Sequence, residues 1–182
     1  MSKQSLEEMG NQEQALETLK KWQNAETRDK ARAEQVEAQK KWDENLLKSD
    51  KGKSEHWENL SYEEIASKWQ TVSIPSDVDI LKSAGIVWFK KEIELTAAQV
   101  EHFNAKGTNL WLGTIIDADC AYVNGTQVGI TYYSYPPRRY SVPAGLLKEG
   151  KNTITLRVQK NSKNGVIRFY QQKPYYLFTA DL

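Results

Sequence analysis

The stretch DCAYVNGTQVG, residues 119–129, places the tightest local constraint on how this chain can fold. Asn124-Gly125 is a hairpin turn signal, because both residues tolerate a positive φ. Tyr122 and Val123 suit a strand on one side of the turn, and Gln127-Val-Gly129 restarts an extended run on the other. The stretch therefore predicts two antiparallel strands joined by a tight turn. What such a hairpin serves is open at this point: chemistry, binding, or only the integrity of a sheet.

The rest of the chain divides by composition. Its 182 residues allow one domain and an appendage. Residues 1–68 are rich in Glu, Lys, Gln and Ala and read as a helical arm and connector. Residues 69–182 hold nearly all the β-branched residues and most of the aromatics, enough for a β-sandwich domain with its own core. From Gln14 to Leu47 no Gly or Pro interrupts a helix-forming run. Its apolar anchors are Leu16, Leu19, Trp22, Ala33, Val36, Trp42 and Leu46, a narrow stripe with a weak middle around Glu26–Lys30. Such a helix is expected to lean on another surface. A homomeric coiled coil is a lesser alternative because heptads are not sustained, and a partly disordered arm is a third. Residues 49–54 read as a loop. Ser61-Tyr-Glu-Glu64 is a capping-box pattern that starts a short helix through Trp69.

Beyond this point the period changes. Trp69–Ile74 alternates into a strand ending at Pro75. Ile86–Leu95 is a long strand, Thr96–Gln99 opens a helical turn, and Gly107 closes the connection. Asn109–Ile116 is the next strand, followed by the hairpin and a short strand at 139–142. Pro143–Lys148 reads as a helical turn stopped at Gly150. Asn152–Val158 alternates cleanly, and 166–169 and 175–178 complete the set. Many short strands with regular turns and no βαβ alternation predict a mainly β fold, an antiparallel jelly-roll β-sandwich preceded by a long polar α-helical arm.

Charge and motif content narrow the function. The net charge of +1 gives no global field for nucleic acid or an anionic membrane, so neither is expected as a partner. No apolar run approaches the ~18 residues of a membrane span. The start, MSKQSLEEMGNQ, lacks the apolar stretch of a signal peptide. Cys120 is the only cysteine, which excludes an internal disulfide and a cysteine-based metal site. The two histidines, His56 and His102, stand near no plausible nucleophile in sequence, and there is no G-x-S-x-G elbow, D-x-x-H pair, HExxH, P-loop or dinucleotide fingerprint. No cofactor is expected. Asp117 and Asp119 are weak candidates for calcium ligands, set against an ordinary role as turn or cap acceptors. Glu92, Glu94, Asp117 and Asp119 supply carboxyls, but spacing cannot pair any two of them across a sugar. The loop 131–140, TYYSYPPRRY, is the remaining candidate site. Tyr132, Tyr133 and Tyr135 could stack on sugar faces, with Arg138 and Arg139 gripping a carboxylate. Against this stands the plainer reading that the tyrosines roof the sandwich and the arginines are solvated.

Several blocks, taken together, resemble a known arrangement: Gly85-Ile-Val-Trp-Phe-Lys-Lys91, Leu112-Gly-Thr-Ile-Ile-Asp-Ala-Asp119, Tyr122-Val-Asn-Gly-Thr-Gln-Val-Gly129 and the run from Pro137 to Ile154. They resemble the galactose-binding-like β-sandwich of bacterial sialate O-acetylesterases over roughly residues 69–170. A weaker likeness extends to the sugar-binding jelly roll of family 2 glycoside hydrolases. The segment Trp69-Gln-Thr-Val-Ser-Ile-Pro75 is similar to the end of the Lys- and Trp-rich connector that precedes the esterase sandwich. The resemblance implies a sandwich that accompanies a Ser-Gly-Asn-His-type hydrolase domain. It also implies a periplasmic or secreted parent protein acting on acetylated or sialic-acid-containing glycans. None of the hydrolase motifs occurs here, so no catalytic residue carries over. The expectation is an internal domain excised from such an esterase, or a homologue without the hydrolase. It would position or shield the active site of the hydrolase domain, its partner, with the helical arm packing on that domain or on the sandwich edge through Trp22, Trp42 and Trp57. An independent carbohydrate-binding module is the alternative.

Overall fold

The computed structural model describes residues 12–72, 85–115, 118–132, 137–160, 169–170 and 176–179. It falls into two compact units, Met1–Ser49 and Asp50–Leu182. The first is helical. Helix α1 spans Gln12–Gln23 and α2 spans Ala25–Lys48. The uninterrupted helix expected over 14–47 is therefore broken at Asn24. This residue takes an extended conformation, and its side chain accepts from the Thr27 amide at 3.2 Å. Asn competes for the backbone of its own turn and so favours a cap over a helix interior. The apolar stripe is thin: Val36 is 63% and Leu47 56% exposed.

The second unit is a β-sandwich of two antiparallel sheets among the described residues. Strand β1 (Ile86–Leu95) pairs with β6 (Gly150–Gln159), β6 with β3 (Ala118–Val123), and β3 with β4 (Thr126–Thr131). The second sheet places β2 (Thr108–Ile115) between β5 (Pro137–Val142) and the short β7 (Phe169–Tyr170) and β8 (Tyr176–Thr179). Alternation puts Val87, Ala121, Val123, Leu156 and Val158 of the first sheet against Leu110, Ile115 and Val142 of the second, forming one core. Helix α5 spans Ala97–Lys106 between β1 and β2. Thr96 and Gln99 close a capping box at its start and Gly107 ends it, so the expected turn is a full helix. Residues 143–148 form turns rather than a helical turn.

The hairpin forms as its sequence requires. Asn124 and Gly125 have φ of 47° and 79°. Asn124 does more than turn the chain. Its amide donates to the Leu146 carbonyl at 2.9 Å and to Asn152 Oδ1 at 2.8 Å, and its Oδ1 accepts from the Thr153 amide at 2.8 Å. Asn152, fully buried, accepts from the Lys148 amide and donates to the Lys148 and Gly150 carbonyls. One hairpin turn thereby satisfies the backbone of the neighbouring 143–150 connection.

The segment preceding the sandwich departs most from expectation. Residues 50–68, assigned by composition to the connector, fall in the same compact unit as the sandwich. The expected loop at 49–54 contains helix α3 (Lys51–Ser54), capped by Asp50. A 3-10 turn follows at Trp57–Asn59, then α4 at Tyr62–Ala66 with Ser61 and Glu64 in the expected capping box. Trp69–Val72, expected as a strand, is not one, and residues 73–75 lie outside the described residues. Trp69 is instead drawn into side-chain packing: its ring lies 5.3 Å from that of Trp57. Trp57, expected as an anchor on a separate domain or on the sandwich edge, packs on Trp88 of β1 at 6.1 Å.

Candidate functional site

Three groups of side chains in the sandwich unit have the residue types that chemistry or binding would need. They differ in how fully the fold already engages them.

The first lies between the sheets. Asp119 of β3 sits in register with Val158 and two residues before Ala121, so its side chain points inward. From the opposite sheet, Arg138 Nε donates to Asp119 Oδ1 at 2.5 Å and Tyr140 Oη donates to Oδ2 at 2.6 Å. Thr131 and Tyr140 hydroxyls meet at 2.9 Å. Both charged side chains are 0% exposed. Burial pushes the Asp119 carboxyl upward, against the hydrogen bonds from Tyr140 and Arg138 that pull it down. Burial, and then the bond to Asp119, raises the Tyr140 phenol well above the ordinary tyrosine range. Tyr140 crosses so close to β4 that a Cβ on Gly129 would fall 2.0 Å from its ring. This cluster corrects two sequence readings. Arg138 is not a surface grip for a ligand carboxylate, because a carboxylate of its own chain holds it in the interior. Asp119 is not a calcium ligand, because both its oxygens accept from Arg138 and Tyr140. Asp117 lies outside the described residues.

The second group covers the outer face of the first sheet. Trp88, Cys120 and Tyr122 project from β1 and β3 and pack with Trp57 and Trp69. Asp50 joins this layer to the sheet: Oδ1 accepts from Trp88 Nε1 at 2.9 Å and Oδ2 from Arg157 Nε at 2.7 Å. A Cβ on Gly52 would lie 2.3 Å from Trp88 Nε1, so only glycine lets α3 approach the indole. Lys90 donates to the Glu58 and Leu60 carbonyls at 3.2 and 2.5 Å, and burial lowers its pKa. Burial raises the pKa of the Cys120 thiol above its usual range, which favours the protonated form. His56 belongs here too. Its Nδ1 lies 3.1 Å from Glu58 Oε1 while its ring remains 71% exposed. His102 is on α5, beside Phe103.

The third group is on the outer face of the second sheet. Trp111 of β2 is in register with Arg139 of β5, and Asn109 is in register with both Ser141 of β5 and Phe178 of β8. The Arg139 guanidinium lies 5.5 Å from the Trp111 ring and 5.1 Å from the Phe178 ring. Ser141 donates to Asn109 Oδ1 at 3.3 Å. Arg139 and Ser141 are exposed. Among the described residues, Arg139 has no carboxylate partner, unlike Arg138 and Arg157.

Of the candidate residues in the 131–140 loop that are described, Tyr132, Arg138 and Arg139 are not gathered in one place. Tyr132 is 72% exposed and follows β4 of the first sheet, while Arg139 is on the outer face of the second. Tyr133 and Tyr135 lie outside the described residues. Sequence reading missed Asn109, Trp111 and Phe178 as neighbours of Arg139. Their alternation placed each on a strand face, but only the β2–β5 and β2–β8 registers unite them. Among the described residues no group of three or more His, Cys, Asp or Glu could hold a metal ion, and no helix is long and apolar enough to cross a membrane.

No protein-family model matches the chain, and no curated protein matches it. Among solved structures it is similar to a β-glucuronidase of an uncultured Clostridium sp., at 18% identity and a TM-score of 0.48 over 60% of this chain. It is also similar to the β-glucuronidase of Ruminococcus gnavus, at 21% identity and a TM-score of 0.46 over 61% of this chain. In both cases the match spans 19% of the other chain.

Proposed function

We propose that the chain is a non-catalytic accessory β-sandwich domain of a carbohydrate-active protein. Following the sequence blocks that resemble sialate O-acetylesterases, the parent is a carbohydrate O-acetylesterase, and this domain positions or shields its hydrolase active site. The observation that carries the reading is the structural engagement of the groups best suited to hydrolysis. Asp119 and Arg138 neutralise one another between the sheets. Asp50 holds Trp88 and Arg157, and Asn124 and Asn152 hold the 143–150 connection. A catalytic carboxylate needs an open approach to substrate and a partner that changes role during the reaction. These side chains have neither.

The test is turnover of an acetylated chromogenic ester and of O-acetylated sialic acid by the purified chain. The reading expects none above the uncatalysed rate. Turnover abolished by His56→Ala or His102→Ala would overturn it.

A second reading, a carbohydrate-binding module, is favoured by one observation: the exposed guanidinium of Arg139 over two aromatic rings. It expects saturable binding of sugars by calorimetry, and no heat at any accessible sugar concentration would sink it.

A further inference from the structure

The chain carries the dipeptide Asn-Gly at 124–125 and again at 164–165, the second lying outside the described residues. In this dipeptide an asparagine side chain is most open to attack by its own backbone, because glycine sets no side chain in the way of the following nitrogen. The fold places Asn124 where it acts on that chemistry. Its Nδ2 donates to the Leu146 carbonyl at 2.9 Å and to Asn152 Oδ1 at 2.8 Å. Its Oδ1 accepts from the Thr153 amide at 2.8 Å, and its backbone N–H donates to the Thr153 carbonyl at 2.8 Å. Both ends of the side-chain amide are therefore engaged, and the backbone beside it is tied to β6. Asn59 closes on the same turn: a Cβ on Gly125 would lie 2.3 Å from Asn59 Oδ1.

We infer that Asn124 is a site of spontaneous deamidation, that the folded hairpin restrains the reaction, and that the product dismantles the contacts that restrained it. The Gly125 backbone nitrogen, giving up its proton, bonds to Asn124 Cγ. The Cγ–Nδ2 bond breaks, and Nδ2 leaves as ammonia with that proton. The succinimide so formed takes up one water and opens to aspartate or isoaspartate. In the native turn Nδ2 cannot leave while it donates to Leu146 and Asn152, and the amide cannot rotate while Oδ1 accepts from Thr153. Reaction awaits a local opening of the hairpin against the 143–150 connection. The product reverses the polarity of the site. A carboxylate has no N–H to donate, so the Leu146 carbonyl and Asn152 Oδ1 would face a charged oxygen. Asn152 cannot answer by turning its amide over. Its Oδ1 also accepts from the Lys148 amide, and its Nδ2 donates to the Lys148 and Gly150 carbonyls. Isoaspartate does further damage. It routes the main chain through the side-chain carbon and lengthens a turn whose flanking pair is Val123 and Thr126.

The experiment ages the whole chain in mildly alkaline buffer and follows residue 124 by peptide mapping that separates asparagine, aspartate and isoaspartate. The free peptide DCAYVNGTQVG in the same buffer supplies the unrestrained rate. Conversion in the folded chain is expected to be at least about tenfold slower than in the peptide, the factor that one or two net hydrogen bonds contribute. Asn152→Ala removes one acceptor of Nδ2 and is expected to raise the folded-chain rate about threefold or more. Its folding is checked by circular dichroism. Asn124→Asp, which installs the product directly, is expected to lower Tm by at least about 5 °C. Conversion of the native chain as fast as that of the peptide overturns the restraint. A folded Asn152→Ala chain that converts no faster than the native one overturns the role given to the Nδ2 bonds. Residue 124 unconverted in Asn152→Ala, folded or not, removes the site itself. An Asn124→Asp chain that melts with the native one overturns the consequence assigned to the product.

Discussion

The two outer faces of the sandwich are built from similar materials and finished differently. Each carries a tryptophan, an arginine and polar neighbours on adjacent strands. On the first sheet, Trp88 and Arg157 are both bonded to Asp50, and residues 50–69 lay Gly52, Trp57 and Trp69 over the face. On the second, Trp111 carries Arg139, which remains exposed and without a carboxylate among the described residues. The first face has been converted into a second small core. The comparison teaches that residue type alone does not mark a functional surface in this fold. What distinguishes the faces is whether another part of the chain already supplies the opposite charge.

The comparison can be broken most forcefully by removing the cover. A chain beginning at Trp69, the boundary that composition suggests, would expose Trp88, Cys120 and Tyr122. It is expected to lose at least about 3–5 kcal/mol, the scale of losing one large buried aromatic contact. A chain beginning at Asp50 should match the full chain in urea unfolding of the sandwich. If the two truncations unfold alike, the first face is not a core.

Next in size is the buried pair between the sheets. Asp119→Ala leaves Arg138 charged and enclosed, at a cost of about 3–5 kcal/mol. Replacing both partners, Asp119→Leu with Arg138→Met, is expected to recover most of that loss, because the desolvation of two charges is no longer required. A double variant no more stable than the single one would count against the pair as described.

Gly52→Ala probes the fit of the cover alone. Its Cβ would sit 2.3 Å from Trp88 Nε1 and 2.8 Å from the Trp57 ring, so a cost of about 1–3 kcal/mol is expected from overpacking. The sharper readout is Cys120. In the native chain its buried, protonated thiol should resist a thiol reagent, and loosening the cover should speed labelling many-fold. Equal labelling rates would mean that the cover does not enclose the thiol.

The first face and the interior also share a response to alkali. The Tyr122 and Tyr140 phenols are both raised well above the free value by burial. A group whose folded pKa exceeds its unfolded one contributes stability that is complete below the unfolded pKa of about 10 and declines above it. Urea midpoints should therefore hold up to about pH 10 and then fall, with both phenols ionising only as the chain unfolds. Ionisation of all tyrosines at the free value in the folded chain would contradict their burial.

How much of this was legible beforehand follows from how local each signal is. Asn124-Gly125 and the alternation of Asn152–Val158 specify a turn and a strand within a few residues, and both form. The capping boxes at Ser61 and Thr96 are equally local. Asn24 ended the first helix where an unbroken helix was expected, since one polar residue tips a sparse amphipathic run. The roles of Asp50, Arg138 and Arg139 were not local. Arg138 and Arg139 are adjacent and chemically identical, yet strand alternation sends one into the interior and the other to solvent. Which one goes inward depends on the register of β5 against β2 and on Asp119 waiting in the opposite sheet. Asp50 finds Arg157 across 107 residues of sequence. No window of composition contains both.

The smallest stability effect carries the most direct test. Arg139→Gln and Arg157→Gln make the same change on the two faces and can be compared in one thermal-unfolding experiment. The account predicts an unequal result. Arg157→Gln should lower Tm by roughly 5 °C, because Asp50 loses its cation. Arg139→Gln should leave Tm within about 1–2 °C, as an exposed substitution does. Arg139→Gln lowering Tm as far as Arg157→Gln would contradict the distinction between the two faces.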